Sequence, residues 1–147
     1  HNPSAISKEQ MNIWVKDGHV NYLGSSDNVR IEISNADCIV LPSFYREGTP
    51  RILLESASMA KPIITTNNVG CRDVVDDGIN GYLCEVRNAQ DLASKMELMI
   101  NLPDTDRETM GEAGRKKMVE EFSEEIVINK YIESISEILY PKGIFYG

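Results

Sequence analysis

The stretch that decides the fold is Leu41-Pro-Ser-Phe-Tyr-Arg-Glu-Gly-Thr-Pro-Arg-Ile-Leu-Leu-Glu55, which continues through Ser56-Ala-Ser-Met-Ala-Lys-Pro-Ile-Ile64. It begins at the end of the apolar run 38–41, which is short enough for a buried strand and too short for a helix. A polar loop leads to Thr49, a good N-cap, and to Pro50 at the first helical position, where a missing N–H costs nothing. Lys61-Pro62 ends the helix, and Ile63-Ile64 opens another strand. The stretch therefore predicts a strand–loop–helix–strand unit.

The mouth of this helix has the features of an anion-binding site. The N–H groups of Gly48, Thr49 and Arg51 are expected to point outward there, and such a helix end attracts anions, above all phosphate. Glu47 and Glu55 flank the mouth with seven residues between them. A carboxylate accepts hydrogen bonds from two hydroxyls at once, so it suits the hydroxyls of a ribose or sugar joined to that phosphate. These residues indicate a sugar nucleotide as the ligand.

Strands and helices alternate on either side of this unit. The other expected elements, in chain order, are a helix after a capping box at Ser7 and Gln10, a strand over 20–23, a short helix over 29–36, a strand over 62–65, turns over 73–75 and 76–80, a strand over 81–84, a helix capped by Asn88, a helix over about 106–122 weakened by Gly111 and Gly114, and a last helix from 123. The alternation implies an α/β fold with a doubly wound, parallel, Rossmann-like sheet. Ligands in such sheets bind beyond the carboxyl ends of the strands, where residues 24–25 and 43–49 would lie.

Composition narrows the class of function. The chain has 147 residues and a formal net charge of −8, which argues against nucleic acid or an anionic lipid surface as a partner. Cys38, Cys71 and Cys84 have no metal-ligand spacing, so buried free thiols in a reducing compartment are expected. No signal peptide or apolar span occurs in the sequence, which favours a cytoplasmic location. No Gly-x-Gly-x-x-Gly follows a strand, which disfavours a dinucleotide-dependent oxidoreductase.

The central stretch also resembles a known family. Glu47 and Glu55 lie inside Pro-Ser-x-x-x-Glu-Gly-x-Pro-x-x-x-Leu-Glu, followed by Lys-Pro-Ile-Ile, which is similar to the signature of glycosyltransferase family 4, retaining enzymes of the GT-B fold. The resemblance continues through Gly70-Cys-Arg-Asp-Val-Val-Asp-Asp-Gly-Ile-Asn-Gly-Tyr-Leu83 and Met110-Gly-Glu-Ala-Gly-Arg115, so it covers nearly the whole chain. The run Ser43-Phe-Tyr-Arg-Glu-Gly48 resembles a subgroup that builds bacterial surface polysaccharides and lipid-linked glycans.

The resemblance implies a donor-binding, C-terminal GT-B domain over residues 1–140, with a tail at 141–147. Two strands of that domain, which in the family carry an Arg and a Lys that clamp the diphosphate, are absent from the sequence, as is the N-terminal acceptor domain. The missing strands would lie between 20–23 and 38–41. The chain is therefore expected to be an N-terminally incomplete fragment of a longer enzyme, inactive as a transferase by itself.

The implied activity is transfer of a sugar from a nucleotide-sugar, with UDP the favoured nucleotide, to an acceptor hydroxyl with retention. The implied partners are the donor and a glycan or lipid-linked acceptor held by the missing domain, with peripheral contact to the inner membrane through that part. No metal and no cofactor are expected. The residues implied in the site are Glu47 and Glu55 as catalytic residues, and Gly48, Thr49, Pro50, Arg51, Ser25, Ser26 and Arg72 as donor-binding residues.

Individual roles follow from the resemblance, each beside a plainer alternative. Glu47 would contact hydroxyls of the donor sugar, or be a solvated loop acid. Glu55 would accept from the ribose hydroxyls, or be a surface acid favoured by the helix dipole. The Arg51 side chain would face the diphosphate or only solvate the helix. Two other functions remain open: a GT-B epimerase acting on UDP-sugars, and a non-catalytic sugar-nucleotide-binding module.

Overall fold

The structure, a computed structural model, describes residues 6–45 and 48–139. In chain order its elements are α1 (Lys8–Lys16), α2 (Val29–Asn35), β1 (Ile39–Leu41), α3 (Arg51–Ser58), β2 (Ile63–Thr66), β3 (Gly81–Cys84), α4 (Ala89–Asn101), α5 (Asp104–Glu121) and α6 (Glu124–Leu139).

The three strands form a parallel sheet in the order β1-β2-β3. Because side chains alternate along a strand, the two isoleucines of β2 face opposite sides. Ile63 packs in a core with Leu53 of α3 and Met118 of α5, whereas Ile64 packs with Met99 of α4. Helices therefore cover both faces, and the predicted doubly wound parallel α/β class is confirmed.

Local signals place most helix ends where the sequence predicts them. The Ser7 side chain accepts from the N–H of Gln10, and the Asn88 side chain accepts from the N–H of Asp91. Each bond satisfies one of the N–H groups that a first turn leaves without an intrahelical partner. The predicted caps of α1 and α4 are confirmed.

The start of α3 differs from the prediction by one residue. Pro50, not Thr49, is the N-cap residue, because its ψ of 127° keeps it extended and the helix begins at Arg51. The far end of α3 closes in a Schellman motif, in which Lys61 N–H donates to Ser56 O and Ala60 N–H donates to Ala57 O. Ala60 has the left-handed φ of 55° that this motif requires.

The predicted strand over 20–23 is wrong. These residues form no strand, and Val20, Tyr22 and Leu23 are 42%, 62% and 62% exposed. A strand is stable only when neighbouring backbone pairs with it, and β1, an edge strand, pairs with β2 alone among the described residues. The apolar sequence is present, but the described part of the chain offers it no partner.

Gly111 and Gly114, which were expected to weaken α5, are buried contact points between α5 and its neighbours. A Cβ on Gly111 would collide with the carbonyl oxygen of Ala60, at the end of α3. A Cβ on Gly114 would lie 3.7 Å from the Cβ atoms of Ala57 and Asn80, which is ordinary contact. The α3–α5 contact thus needs a glycine at 111. The helix also begins earlier than expected, at Asp104.

The C-terminal helices carry exposed apolar side chains. α6 begins at Glu124, one residue after the predicted start at 123, and has no buried residue; Ile138 on it is 78% exposed. On α4, Met99 is buried, whereas its neighbour Ile100 is 72% exposed. None of the helices in the described ranges is long and apolar enough to cross a membrane. The predicted tail at 141–147 lies outside the described residues.

Candidate functional site

All three strands end at one edge of the sheet, and the loops that follow them meet there. The segment Pro42–Tyr45 follows β1, the loop 67–76 follows β2, and the turn 85–88 follows β3. Because ligands of doubly wound sheets bind at this carboxyl edge, these loops define the candidate site.

Side chains from β2 and its loop hold the segment Pro42–Tyr45 in place. Thr65 Oγ1 donates to Leu41 O at 2.7 Å, and Thr66 Oγ1 donates to Ser43 O. Asn68 Nδ2 donates to Tyr45 O at 2.9 Å, while its Oδ1 accepts from Val69 N–H. Thr65, Thr66 and Asn68 are all buried. Buried polar groups satisfied in this way fix the path of the loop that leads from β1 toward α3.

The N-terminal end of α3 lies at the same edge, since α3 begins at Arg51, six residues beyond Tyr45. Pro50 provides no side-chain cap for its first turn. Arg51 Nε donates to Glu55 Oε1 at 2.8 Å, and the Arg51 side chain is 85% exposed whereas that of Glu55 is 19% exposed. Within the described residues, Oε2 of Glu55 has no side-chain partner, and most of the Arg51 side chain is exposed. In the structure the Arg51 side chain lies against Glu55, and its role toward a diphosphate stays a prediction.

The remaining predicted residues occupy separate parts of the structure. Gly48 is exposed and Thr49 half-buried, both just ahead of α3, and Arg72 is exposed in the turn after β2, where its N–H donates to Asn68 O. Ser26 Oγ accepts from Asn28 N–H, a local contact within its own turn, and neighbouring Ser25 is exposed. Glu47 and Arg46 lie outside the described residues.

Phe44 and Arg87 are additional residues of this edge that the sequence did not single out. Phe44 stacks on Tyr45 with ring centroids 4.2 Å apart, and the Arg87 guanidinium carbon lies 4.6 Å from the centroid of the Phe44 ring. A cavity of about 220 Å³ opens beside them, bounded by the ends of all three strands and the first residues of α4. The only sequence signal is an aromatic pair that begins three residues after a strand, which by itself does not indicate a role.

Burial raises the pKa of the Cys84 thiol, which lines this cavity. The other free thiols are Cys71, which is buried, and Cys38, which is partly buried. All three cysteines are thus free thiols, as the sequence predicts.

In the described ranges, no group of three or more His, Cys, Asp or Glu side chains is arranged to hold a metal ion. The sequence Asp104-Thr-Asp106 forms the first turn of α5, where Asp104 pairs with Arg107. The Arg107 guanidinium also donates to carbonyl oxygens at the end of α4, so this pair helps to join the two helices.

The fold and the edge site define a Rossmann-like, doubly wound α/β domain with a ligand site at the carboxyl ends of its strands. Residues 9–117 match the family model of the glycosyl transferases group 1. The chain belongs to this family.

Curated relatives are similar over most of the chain. It is 34% identical over 99 residues to an N,N'-diacetylbacillosaminyl-diphospho-undecaprenol alpha-1,3-N-acetylgalactosaminyltransferase of Campylobacter jejuni, covering 67% of this chain and 25% of that protein. It is 35% identical over 94 residues to a capsular polysaccharide biosynthesis glycosyltransferase of Staphylococcus aureus, covering 64% of this chain and 24% of that protein. The chain thus spans about a quarter of the length of these two relatives.

A solved structure has the same fold. The Anabaena protein HepE, crystallised in complex with UDP, superposes with a TM-score of 0.76 at 21% identity, covering 88% of this chain and 35% of that one. It has also been solved with UDP-glucose. At this identity the likeness concerns the fold.

Proposed function

We propose that this chain is the donor-binding part of a retaining glycosyltransferase of family 4 and that it binds a UDP-sugar at the carboxyl edge of its sheet. The observation that carries the proposal is the N-terminal end of α3, whose N-cap residue Pro50 makes no side-chain cap bond, with the Glu55 carboxylate one turn inside the helix. A positive helix end suits a diphosphate, and a neighbouring carboxylate suits hydroxyls. Family membership and a fold shared with a UDP-bound protein support the choice of ligand.

The diphosphate would lie at the N-terminal end of α3, where the N–H groups of the first turn stabilise the negative charge that develops as the sugar leaves. This is electrostatic stabilisation by donors fixed in advance. Gly48 and Thr49 would offer N–H groups, and the exposed guanidinium of Arg51 would add a positive charge. The transfer would need no metal and no other cofactor.

Glu55 would accept hydrogen bonds from the ribose hydroxyls through the carboxylate oxygen that Arg51 does not use. The pair with Arg51 fixes the carboxylate in one orientation, so the ribose would meet an acceptor that is already positioned. Glu47 would contact the donor sugar, with Ser25 and Ser26 near the base and Arg72 near the phosphates or the sugar.

The acceptor, a glycan or lipid-linked saccharide, would be held by a part of the parent enzyme outside this chain. That part would also provide peripheral contact with a membrane and the remaining diphosphate ligands, with the whole enzyme working in the cytoplasm in bacterial polysaccharide or glycolipid synthesis. By this reasoning the chain alone binds donor but transfers no sugar. Sugar transfer measured with the isolated chain would contradict the prediction that the chain is inactive by itself.

Calorimetric titration with UDP tests the proposal directly. Glu55→Ala should weaken UDP binding about 10- to 100-fold, the value of a hydrogen bond to a charged group. Glu112→Ala, which removes a carboxylate from the exposed surface of α5, is the matched control and should bind as the unaltered chain does. GDP should bind more weakly than UDP, and excess EDTA should leave binding unchanged.

Each result has one meaning. Equal loss in both variants would attribute the effect to net charge and contradict a role for Glu55. UDP binding that Glu55→Ala does not alter would place the nucleotide elsewhere. If neither the isolated chain nor the longer parent bound UDP, the proposed ligand would be wrong.

A further inference from the structure

The turn after β3 holds a residue in a backbone conformation that its type rarely adopts. Asn88 N–H donates to Glu85 O at 3.3 Å, which closes a four-residue turn, and Arg87 occupies the third position with a φ of 61°. A positive φ at that position normally calls for glycine or asparagine. The chain has an arginine there instead, at the cost of backbone strain, and such strain clusters at functional sites.

The strained conformation places the guanidinium of Arg87 over the ring of Phe44, with Cζ 4.6 Å from the ring centroid. This distance lies within the range of a cation–π interaction, which favours Arg on an aromatic face. The contact joins the turn after β3 to the segment after β1, two loops whose strands are not neighbours in the sheet, since β2 lies between them.

The segment Pro42–Tyr45 is therefore held from two directions. Thr66 and Asn68, from the central strand and its loop, bond the carbonyls of Ser43 and Tyr45. Arg87 holds the side chain of Phe44. Gly48, just before α3, is only three residues beyond Tyr45, so their Cα atoms lie within about 11 Å of each other. The position of this segment consequently constrains the approach to the N-terminal end of α3.

We propose that Arg87 is a positioning residue, which holds the segment Pro42–Tyr45 through the Phe44 ring and so sets the entrance to the nucleotide site at α3. The inference rests on the proposed function for its ligand, and on the Arg87–Phe44 geometry for its mechanism. It predicts that removing the guanidinium weakens nucleotide binding without destabilising the domain.

Arg87→Asn is the decisive variant, because asparagine accepts the positive φ and keeps the turn but has no cation. UDP affinity should fall about three- to tenfold, the range of a cation–π contact, while the melting temperature stays the same or rises. Arg87→Lys, which keeps a cation, should bind within about twofold of the unaltered chain. Lys130→Gln, which removes one positive charge from exposed α6, is the control and should change neither quantity.

A double-mutant cycle separates positioning from direct contact with UDP. If Arg87 acts through Phe44, Arg87→Asn should have no further effect on affinity in a Phe44→Leu background. If the loss is the same in both backgrounds, Arg87 contacts the nucleotide itself and the positioning proposal is overturned. A parallel fall of affinity and melting temperature in both Arg87 variants would also overturn it, since that is the behaviour of a purely structural residue.

Hydrogen exchange gives a readout that needs no ligand. Arg87→Asn should speed amide exchange in a peptide covering residues 42–45, and Lys130→Gln should not. If the unaltered chain bound no UDP, the proposed function would fail while this measurement still decided the positioning role. Unchanged exchange over 42–45 would overturn the positioning role even if UDP bound.

Discussion

Gly111 and Gly114 lie on the same helix three residues apart, and the structure predicts opposite effects when each is replaced by alanine. A Cβ on Gly111 would overlap the Ala60 carbonyl oxygen, with the Ala60 carbon and Lys61 nitrogen also close. These are backbone atoms, so no side chain can rotate away. A Cβ on Gly114 would find its nearest neighbours at 3.7–3.8 Å, an ordinary contact distance.

The Ala60 carbonyl cannot retreat cheaply. Ala60 is the left-handed residue of the Schellman motif, and its N–H and that of Lys61 are bonded to α3. To admit the new methyl, α3 and α5 would have to move apart by roughly 1 Å, which loses contacts of the buried core that Leu53 and Met118 share.

Overpacking of this kind costs about 1–3 kcal/mol, and a backbone obstacle belongs at the upper end. Alanine regains about 1 kcal/mol of helix propensity. Gly111→Ala should therefore lower the free energy of unfolding by about 2 kcal/mol. Gly114→Ala should raise it by about 0.5–1 kcal/mol, because it gains propensity without a clash.

Urea denaturation followed by far-UV circular dichroism measures both variants against the unaltered chain. Similar slopes with respect to urea would show that the change is in stability, not in the compactness of the unfolded state. If both variants proved more stable, or both less stable by the same amount, the close α3–α5 contact at Gly111 would be refuted.

Two further predictions concern ionisable groups. The Lys117 side chain is desolvated, which lowers its pKa, but its ion pairs with Asp76 at 2.7 Å and Glu121 at 3.5 Å outweigh this and raise the pKa above the usual 10.5. The ion pairs of Lys117 should contribute about 1–2 kcal/mol to stability below pH 10.5, and this contribution should disappear as pH rises through the folded-state pKa. The difference in unfolding free energy between the unaltered chain and Lys117→Met should therefore close in urea titrations at alkaline pH. A difference that stayed constant up to pH 12 would argue against the pair. Burial raises the pKa of Cys38 to about 11 and also raises the pKa of Cys84. Both thiols should therefore react with a disulfide reagent at pH 8 far more slowly in the folded chain than in urea. Rapid reaction of the folded chain would count against their burial.

The sequence predicted much of the fold because many of its signals are local. The Ser7 and Asn88 caps, the apolar runs of β1 to β3 and the turn before β3 all depend on residues within one turn or strand. The alternation of elements was sufficient for the parallel sheet. The spacing of Arg51 and Glu55 also permitted an ion pair, since residues four apart on a helix are neighbours.

The sequence was less informative wherever the outcome depended on a distant partner. The strand predicted over 20–23 had suitable side chains, but pairing depends on a neighbouring strand. Gly111 was interpreted as a weak point of α5, because nothing near it in the chain indicates that α3 ends against it. The one-residue error at Pro50 lies within the usual uncertainty of helix boundaries.

The sequence by itself determined most of the elements, the sheet class and a glycosyltransferase family, because periodicity, caps and motif spacing are properties of short segments. The tertiary structure decided which side chains meet at the carboxyl edge. Asn68 donates a hydrogen bond to Tyr45, and Arg87, in the turn after the opposite edge strand β3, lies over the Phe44 ring. These contacts join residues 23 and 43 positions apart, and only the packing of the strands and their loops brings such residues together.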